Sequence, residues 1–296
     1  MSKGTMKTSQ RTPLAPVASG YAAVNGIKLY HEIYGKGDPL VLLHGGLMTI
    51  GEMSAPLASL AANRKVIAVE LQGHGRTADT DRPMSFETLA DDIAALLDQL
   101  GIVKADIVGL SLGAAVGLRT AIQHPEKVRR LVVISSPYAK SGWYAEAQKG
   151  MGQVSAAMAD NMMHTPTGKF SKQWPEPNRF PQFLDKMGKM LGASYDWSAD
   201  VRNLPMPVML VFADNDSISQ KHIAEFFALL GGGVKEPGWM NTQLSRARLA
   251  IVSGYSHYNF VNAAELGPLI DKYLADPLTG GTAGAADAPQ TAQESR

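Results

Sequence analysis

The apolar residues of this chain fall into short, nearly unbroken runs: Leu40–Leu43, Val66–Val69, Ile107–Leu110, Leu131–Ile134, Val208–Phe212 and Leu249–Val252. Continuous runs of this length, rather than a two-residue alternation, predict strands buried on both faces, as in a parallel sheet. Helical spacing separates several of them. From Phe86 to Leu100, residues Leu89, Ile93, Leu96, Leu97 and Leu100 share one face, with Ser85 as N-cap and Gly101 as a stop. A second pattern, Leu112 to His124, ends against Pro125, and a third, His222 to Leu230, ends in Gly231–Gly233. Strands alternating with helices predict right-handed crossovers in a parallel α/β sheet. Tyr21–Val24 and Ile27–Tyr34 flank Asn25-Gly26, a hairpin signal, so the sheet is expected to begin antiparallel.

One interval breaks this rhythm. The stretch between Ile134 and Val208, rich in Trp, Met and Pro, is too long for a single crossover. It predicts a helical cap over 138–204, inserted into a core of 20–137 and 205–276. The flanks, 1–19 and 277–296, lack periodic large apolar residues and are expected to be disordered tails.

Composition narrows the function classes. With 296 residues, 45% hydrophobic, 19% charged and a net charge of +1, the chain has the make-up of a globular domain and no basic excess for nucleic acid. No window approaches 18 unbroken apolar residues and the N-terminal segment has no apolar h-region, so neither a membrane span nor a signal peptide is expected. The cytoplasm is the default location. The chain has no cysteine, which excludes disulfides, thiolate chemistry and cysteine-ligated metal.

Candidate chemistry lies at the strand ends. Gly109-Leu110-Ser111-Leu112-Gly113 follows one expected strand and opens a helix. Alone, the pattern also suits a tight turn with a capping serine. In this context it predicts a nucleophile elbow, with Ser111 raised beside the free N–H groups of a helix N-terminus. Serine is a weak nucleophile and needs a base oriented by an acid. His257 follows the strand Leu249–Val252, and both Asp214 and Asp216 follow Val208–Phe212, in the order Ser, Asp, His expected of such an architecture. His44-Gly45-Gly46 follows Leu40–Leu43, where small residues let backbone N–H groups approach a developing oxyanion. Gly46, with Leu47 as an alternative, and Leu112 are the expected donors; His44 is expected to organise the loop. Glu70 to Thr77 reads as a structural loop. The methionines at 151, 158, 162, 163, 187 and 190, with Trp143, Trp174 and Trp197, either pack the cap or line an apolar substrate pocket. Leu47, Met162 and Met163 are the expected pocket residues.

The segments LVLLHGG, VIAVELQGHGRT, ADIVGLSLGAAVGLRTAIQHPEKVRRLVVISSP, VMLVFADND and IVSGYSHYNF resemble the α/β-hydrolase fold superfamily, specifically its cap-bearing serine hydrolases close to bacterial carboxylesterases. The likeness covers about Tyr21 to Leu274. It implies a mostly parallel eight-stranded α/β-hydrolase sheet with helices on both faces and an inserted helical cap. It further implies a cofactor-independent, metal-free acyl hydrolase acting on a small apolar ester-like substrate. Ser111, Asp216 and His257 would carry the reaction, Asp216 rather than Asp214 taking the acid's place in the family pattern. Serine at 111 separates the chain from the haloalkane dehalogenase and epoxide hydrolase branches, which use aspartate there. Leu47-Met48-Thr49 after Gly46 departs from the Gly-rich-Pro loop of carbon–carbon bond hydrolases. The same triad also serves acyltransferases, perhydrolases and cofactor-free lyases, and a slow hydrolase can serve as a ligand receptor.

Overall fold

The computed structural model describes residues 14–240 and 244–277. The chain runs through β1 (Ala18–Val24), β2 (Ile27–Tyr34), β3 (Asp38–Leu43), α1 (Ser54–Leu60), β4 (Arg64–Val69), α2 (Phe86–Gln99), β5 (Ala105–Leu110), α3 (Leu112–Gln123) and β6 (Val128–Ile134). Five helices follow without a strand: α4 (Ala145–Gly152), α5 (Ala159–Met162), α6 (Pro166–Ser171), α7 (Phe180–Gly192) and α8 (Ser198–Val201). The sheet then resumes with β7 (Val208–Asn215), α9 (Gln220–Leu229), β8 (Arg248–Ser256) and α10 (Leu266–Ala275). Among the described residues no helix is long and apolar enough to cross a membrane.

The eight strands form one sheet in the order β1-β2-β4-β3-β5-β6-β7-β8. From β4 to β8 every pairing is parallel, while β2 is antiparallel to both β1 and β4. Asn25 and Gly26, at φ 44° and 84°, make the two-residue hairpin turn whose left-handed backbone matches the strand twist. Strand β1 starts at Ala18, so the expected tail boundary at 19 is two residues too late; residues 1–13 and 278–296, which hold most of both expected tails, lie outside the described residues.

Two apolar layers sandwich the sheet. On one side α2 buries Leu89, Ile93, Leu96 and Leu97 against α3 and the β-strands. Each such side chain contributes about 1.5–3 kcal/mol of burial. Ser85 caps α2 by accepting from the Thr88 N–H at 3.2 Å, an interaction worth ~1 kcal/mol. On the other side α1 and α10 pack against each other, and Leu57, Leu60, Leu266 and Ile270 join one apolar cluster with residues of β3 to β7.

Strand β8 departs from the expected burial on both faces. It ends the sheet, and Ile251 is 48% exposed while Leu249, Ala250 and Val252 are only partly covered. Its apolar run gives it a strand conformation, but an edge position leaves one side of the ladder without a neighbour.

Candidate active site

Parallel strands carry their connecting turns to one edge of the sheet, and the chemistry-bearing residues gather there. Ser111 links β5 to α3 with φ 51° and ψ −111°. A non-glycine residue held in such a region costs roughly 1–3 kcal/mol and persists only where its surroundings impose it. Those surroundings are the two glycines. A Cβ on Gly109 would lie 2.3 Å from the Gly113 carbonyl oxygen, and a Cβ on Gly113 would lie 2.5 Å from the carbonyl oxygens of Leu43 and His44. Both must be glycine for the turn to close. Of the four non-glycine residues at positive φ among those described, three surround this edge: Leu47 (58°), Ser111 (51°) and Ser135 (53°).

Ser111 Oγ lies 3.0 Å from Nε2 of His257, and Nδ1 of that ring lies 2.9 Å from Asp216 Oδ1. An ionised carboxylate only accepts, so Nδ1 carries the hydrogen and Nε2 is left to accept from the serine hydroxyl. The buried Asp216 carboxylate also accepts from the Ser217 N–H at 2.8 Å, the Ala213 N–H at 3.2 Å and the Ser135 hydroxyl at 2.5 Å. Asp214 points elsewhere: its Oδ1 accepts from the N–H groups of Gly254 and Tyr255 at 2.9 and 3.3 Å, tying the end of β7 to strand β8. It does not reach His257. Trp143 packs edge-on against the His257 ring at 5.2 Å.

Gly46 and Leu112 flank Ser111, and among the described residues neither N–H has a hydrogen-bond partner within the protein. Leu47 is different. Its N–H donates to His74 Nε2 at 3.0 Å, which removes it as the alternative donor. His74 in turn donates from Nδ1 to the Gln72 carbonyl at 3.0 Å. The loop Glu70 to Thr77, expected to be structural only, therefore shapes the segment carrying Gly46. His44 works the same way: Nε2 accepts from the Leu71 N–H at 3.1 Å and Nδ1 donates to the Gly45 carbonyl at 2.7 Å. Burial holds the two imidazoles neutral, lowering His44 to about 4 and His74, which also feels His44, to about 3.

These neutral rings have a stability consequence. Burial likewise lowers His222, beneath Tyr138, to about 4. Below about pH 6.5 the unfolded chain binds protons at these positions and the folded chain does not, so stability falls as pH falls from about 6.5 towards 4. His44 and His74 each contribute up to ~1.4 kcal/mol per pH unit in that window, and the less enclosed His222 contributes less. Melting temperature should be flat above pH 7 and decline from pH 6.5 to 5, before most carboxylates titrate; a flat profile down to pH 5 would contradict the burial of these rings.

A cavity of about 470 Å³ opens over Ser111. Gly46, Leu47, Leu112 and His257 line it from the core, and Trp143, Met151, Met187 and Tyr195 line it from the helices between β6 and β7. No Asp, Glu, Lys or Arg is among its lining residues. Met187 sits directly over Gly46, where a Cβ would meet its Cε at 2.8 Å.

Met162 and Met163, expected in the pocket, are not part of its lining. Met162 ends α5 and packs into the core, and its carbonyl accepts from Thr165 N and Oγ1 at 2.9 and 2.7 Å. Gly168 presses on that same carbonyl, so this turn faces α6 rather than the cavity. Met163 is partly buried against the same core. The helical segment is tied to the core around the cavity: Thr167 Oγ1 donates to the Leu47 carbonyl at 2.9 Å, Trp174 Nε1 to the Gly75 carbonyl at 2.8 Å, and Arg76 stacks on Phe170 at 4.7 Å.

Comparison with known proteins agrees with this architecture. Among curated relatives, a 2-hydroxymuconate semialdehyde hydrolase from a Pseudomonas species is 36% identical over 115 residues, 38% of this chain and 41% of that protein. The first of these relatives match over less than half their own length. A pimeloyl-[acyl-carrier protein] methyl ester esterase from Nitrosospira multiformis matches more broadly, at 24% identity over 84% of this chain and 97% of that one. In structure, a carboxylesterase from Bacillus subtilis superposes with a TM-score of 0.67 over 89% of this chain and 93% of the other, at 17% identity. The model of the alpha/beta hydrolase family matches residues 40–266, and the chain belongs to that family.

Proposed function

We propose that the protein is a serine hydrolase of uncharged carboxylic esters, with 138–204 as the cap over its pocket. One observation carries this reading: the hydrogen-bonded chain Ser111, His257, Asp216 opens through Ser111 and His257 onto an apolar cavity that no Asp, Glu, Lys or Arg lines. Ser111 Oγ passes its proton to His257 Nε2 as it attacks the carbonyl carbon. The resulting oxyanion accepts from the N–H groups of Gly46 and Leu112, donors fixed in place before the charge develops. His257 then protonates the departing alcohol oxygen, leaving an acyl-serine. Water, deprotonated by the same imidazole, cleaves that ester and releases the acid, while Asp216 stabilises each imidazolium. The esterase named among the relatives and the carboxylesterase fold support an ester as substrate.

The test is steady-state turnover of a panel of 4-nitrophenyl esters by the purified protein. The reading expects nitrophenol release continuing through many turnovers. Tight retention of the ligand with negligible turnover would contradict it and favour a receptor. Acyl transfer to an added alcohol in preference to water would make the protein an acyltransferase.

Ser135, which no sequence motif marks, acts on this reaction as a positioning residue. It follows β6 and donates to the Asp216 oxygen that does not face His257. A hydrogen bond to a charged group contributes about 1.5–3 kcal/mol, and the Ala213 N–H remains to hold the same oxygen. Ser135→Ala should therefore lower kcat roughly tenfold with KM little changed. Ser135→Gly, which relieves the positive φ, should show the same loss; full activity in both would remove Ser135 from the account.

A further inference from the structure

The cavity over Ser111 ends at an aromatic wall with a second cavity behind it. That second cavity, about 490 Å³, is lined by Pro83, Met84, Met190 and Ala193 together with charged residues at positions 81, 87, 186 and 189. Phe86 and Tyr195 line both cavities. Their rings meet edge to face at 5.3 Å, so the two side chains stand as the partition between the spaces.

The partition is built rather than incidental. Phe86 is the first residue of α2, placed by the Ser85 cap, and is 8% exposed. Tyr195 lies against Trp197 at 4.5 Å, and Trp197 also meets Phe86 at 5.3 Å. The Tyr195 hydroxyl accepts from Trp143 Nε1 at 3.3 Å, and its carbonyl accepts from the Lys140 N–H at 2.9 Å. The backbone is thus held independently of the ring. On the far side the charges are largely matched within the protein. Asp81 pairs with Arg179, Glu87 with Arg119, and Lys186 with Asp79; Lys189, Ser85 and Ser194 add polar lining, and Met84, Met190 and Pro83 supply the apolar surface.

From this arrangement we infer that Phe86 and Tyr195 set the upper limit of chain length for the substrate. The inference rests on the ester-hydrolase reading and specifies it: the preferred esters carry an unbranched apolar chain that fits the first cavity and stops at the wall. Longer chains are excluded by the two rings, not by any lack of apolar surface beyond them. Removing one ring joins the cavities and lets the chain continue over Met84 and Met190.

The experiment measures kcat/KM for two series, 4-nitrophenyl esters from acetyl to dodecanoyl and alkyl acetates of the same chain lengths. This covers the chain on either side of the scissile bond. The proteins are the wild type, Tyr195→Ala, Phe86→Leu and Tyr195→Phe. Each methylene newly taken from water is worth about fourfold. Two to three of them should raise the long-to-short ratio roughly 15- to 60-fold in Tyr195→Ala, and less in Phe86→Leu, in at least one series. Tyr195→Phe keeps the ring and loses the bond to Trp143, so its length profile should follow the wild type whatever its absolute rate. An unchanged length profile in both opening variants and both series, with esters still hydrolysed, overturns the inference alone. A wild type that hydrolyses no ester overturns the reading beneath it, and the inference falls with it.

Discussion

Replacing Ser111 by alanine should lower ester turnover by several orders of magnitude while leaving the fold intact. On the proposed mechanism the hydroxyl attacks the carbonyl; it lies 3.0 Å from His257 Nε2, at a cavity that Gly46 and Leu112 also line. In enzymes of this kind, loss of the nucleophile costs about 10⁶ in kcat, and the residual rate over water comes from the oxyanion donors and from binding. Alanine at 111 keeps a Cβ at the same positive φ, so the elbow is no more strained than before. KM and melting temperature should therefore change little. A variant that still turned over at a tenth of the wild-type rate would require a different nucleophile.

The two aspartates at the end of β7, Asp214 within the strand and Asp216 just past it, should separate in the same assay. Asp216→Asn replaces an acceptor-only group with an amide that cannot hold the Nδ1 hydrogen and stabilise the imidazolium together. It should lower kcat by roughly 10³–10⁴ in a folded protein. Asp214→Asn keeps a carbonyl oxygen able to accept from Gly254 and Tyr255, so turnover should persist. Its loss should appear in melting temperature, as a weaker tie between the end of β7 and β8. Both variants measured on one ester, with melting curves alongside, decide the point. A well-folded but inactive Asp214→Asn beside an active Asp216→Asn would reverse the assignment.

The contrast between these residues shows what a sequence can carry. The central strands were legible because double burial writes itself as an unbroken apolar run, and α2 because its face repeats at helical spacing between a cap and Gly101. The elbow was legible because its sterics demand glycine at 109 and 113. Strand β8 has the same kind of run as its neighbours, yet its place at the edge depends on strand order, which no local run encodes. Met151 and Met187 face the cavity while Met162 and Met163 do not, and nothing in their residue type distinguishes them. The helices between β6 and β7 include pieces as short as four residues, and their orientation follows from packing on the core. Ser135 and His74 act through another residue, Asp216 and Leu47, so their parts appear only once the strand ends are brought together.

The central claim is that Ser111 forms the covalent bond to the acyl group. A fluorophosphonate is attacked by an activated serine and leaves a stable adduct in place of the transient acyl-enzyme. Intact-mass and peptide-mass measurement after labelling should show one phosphonyl group per chain, on the peptide bearing Ser111, and none on Ser111→Ala. An adduct that persists on Ser111→Ala, or one that maps to another residue of the wild type, would contradict the account.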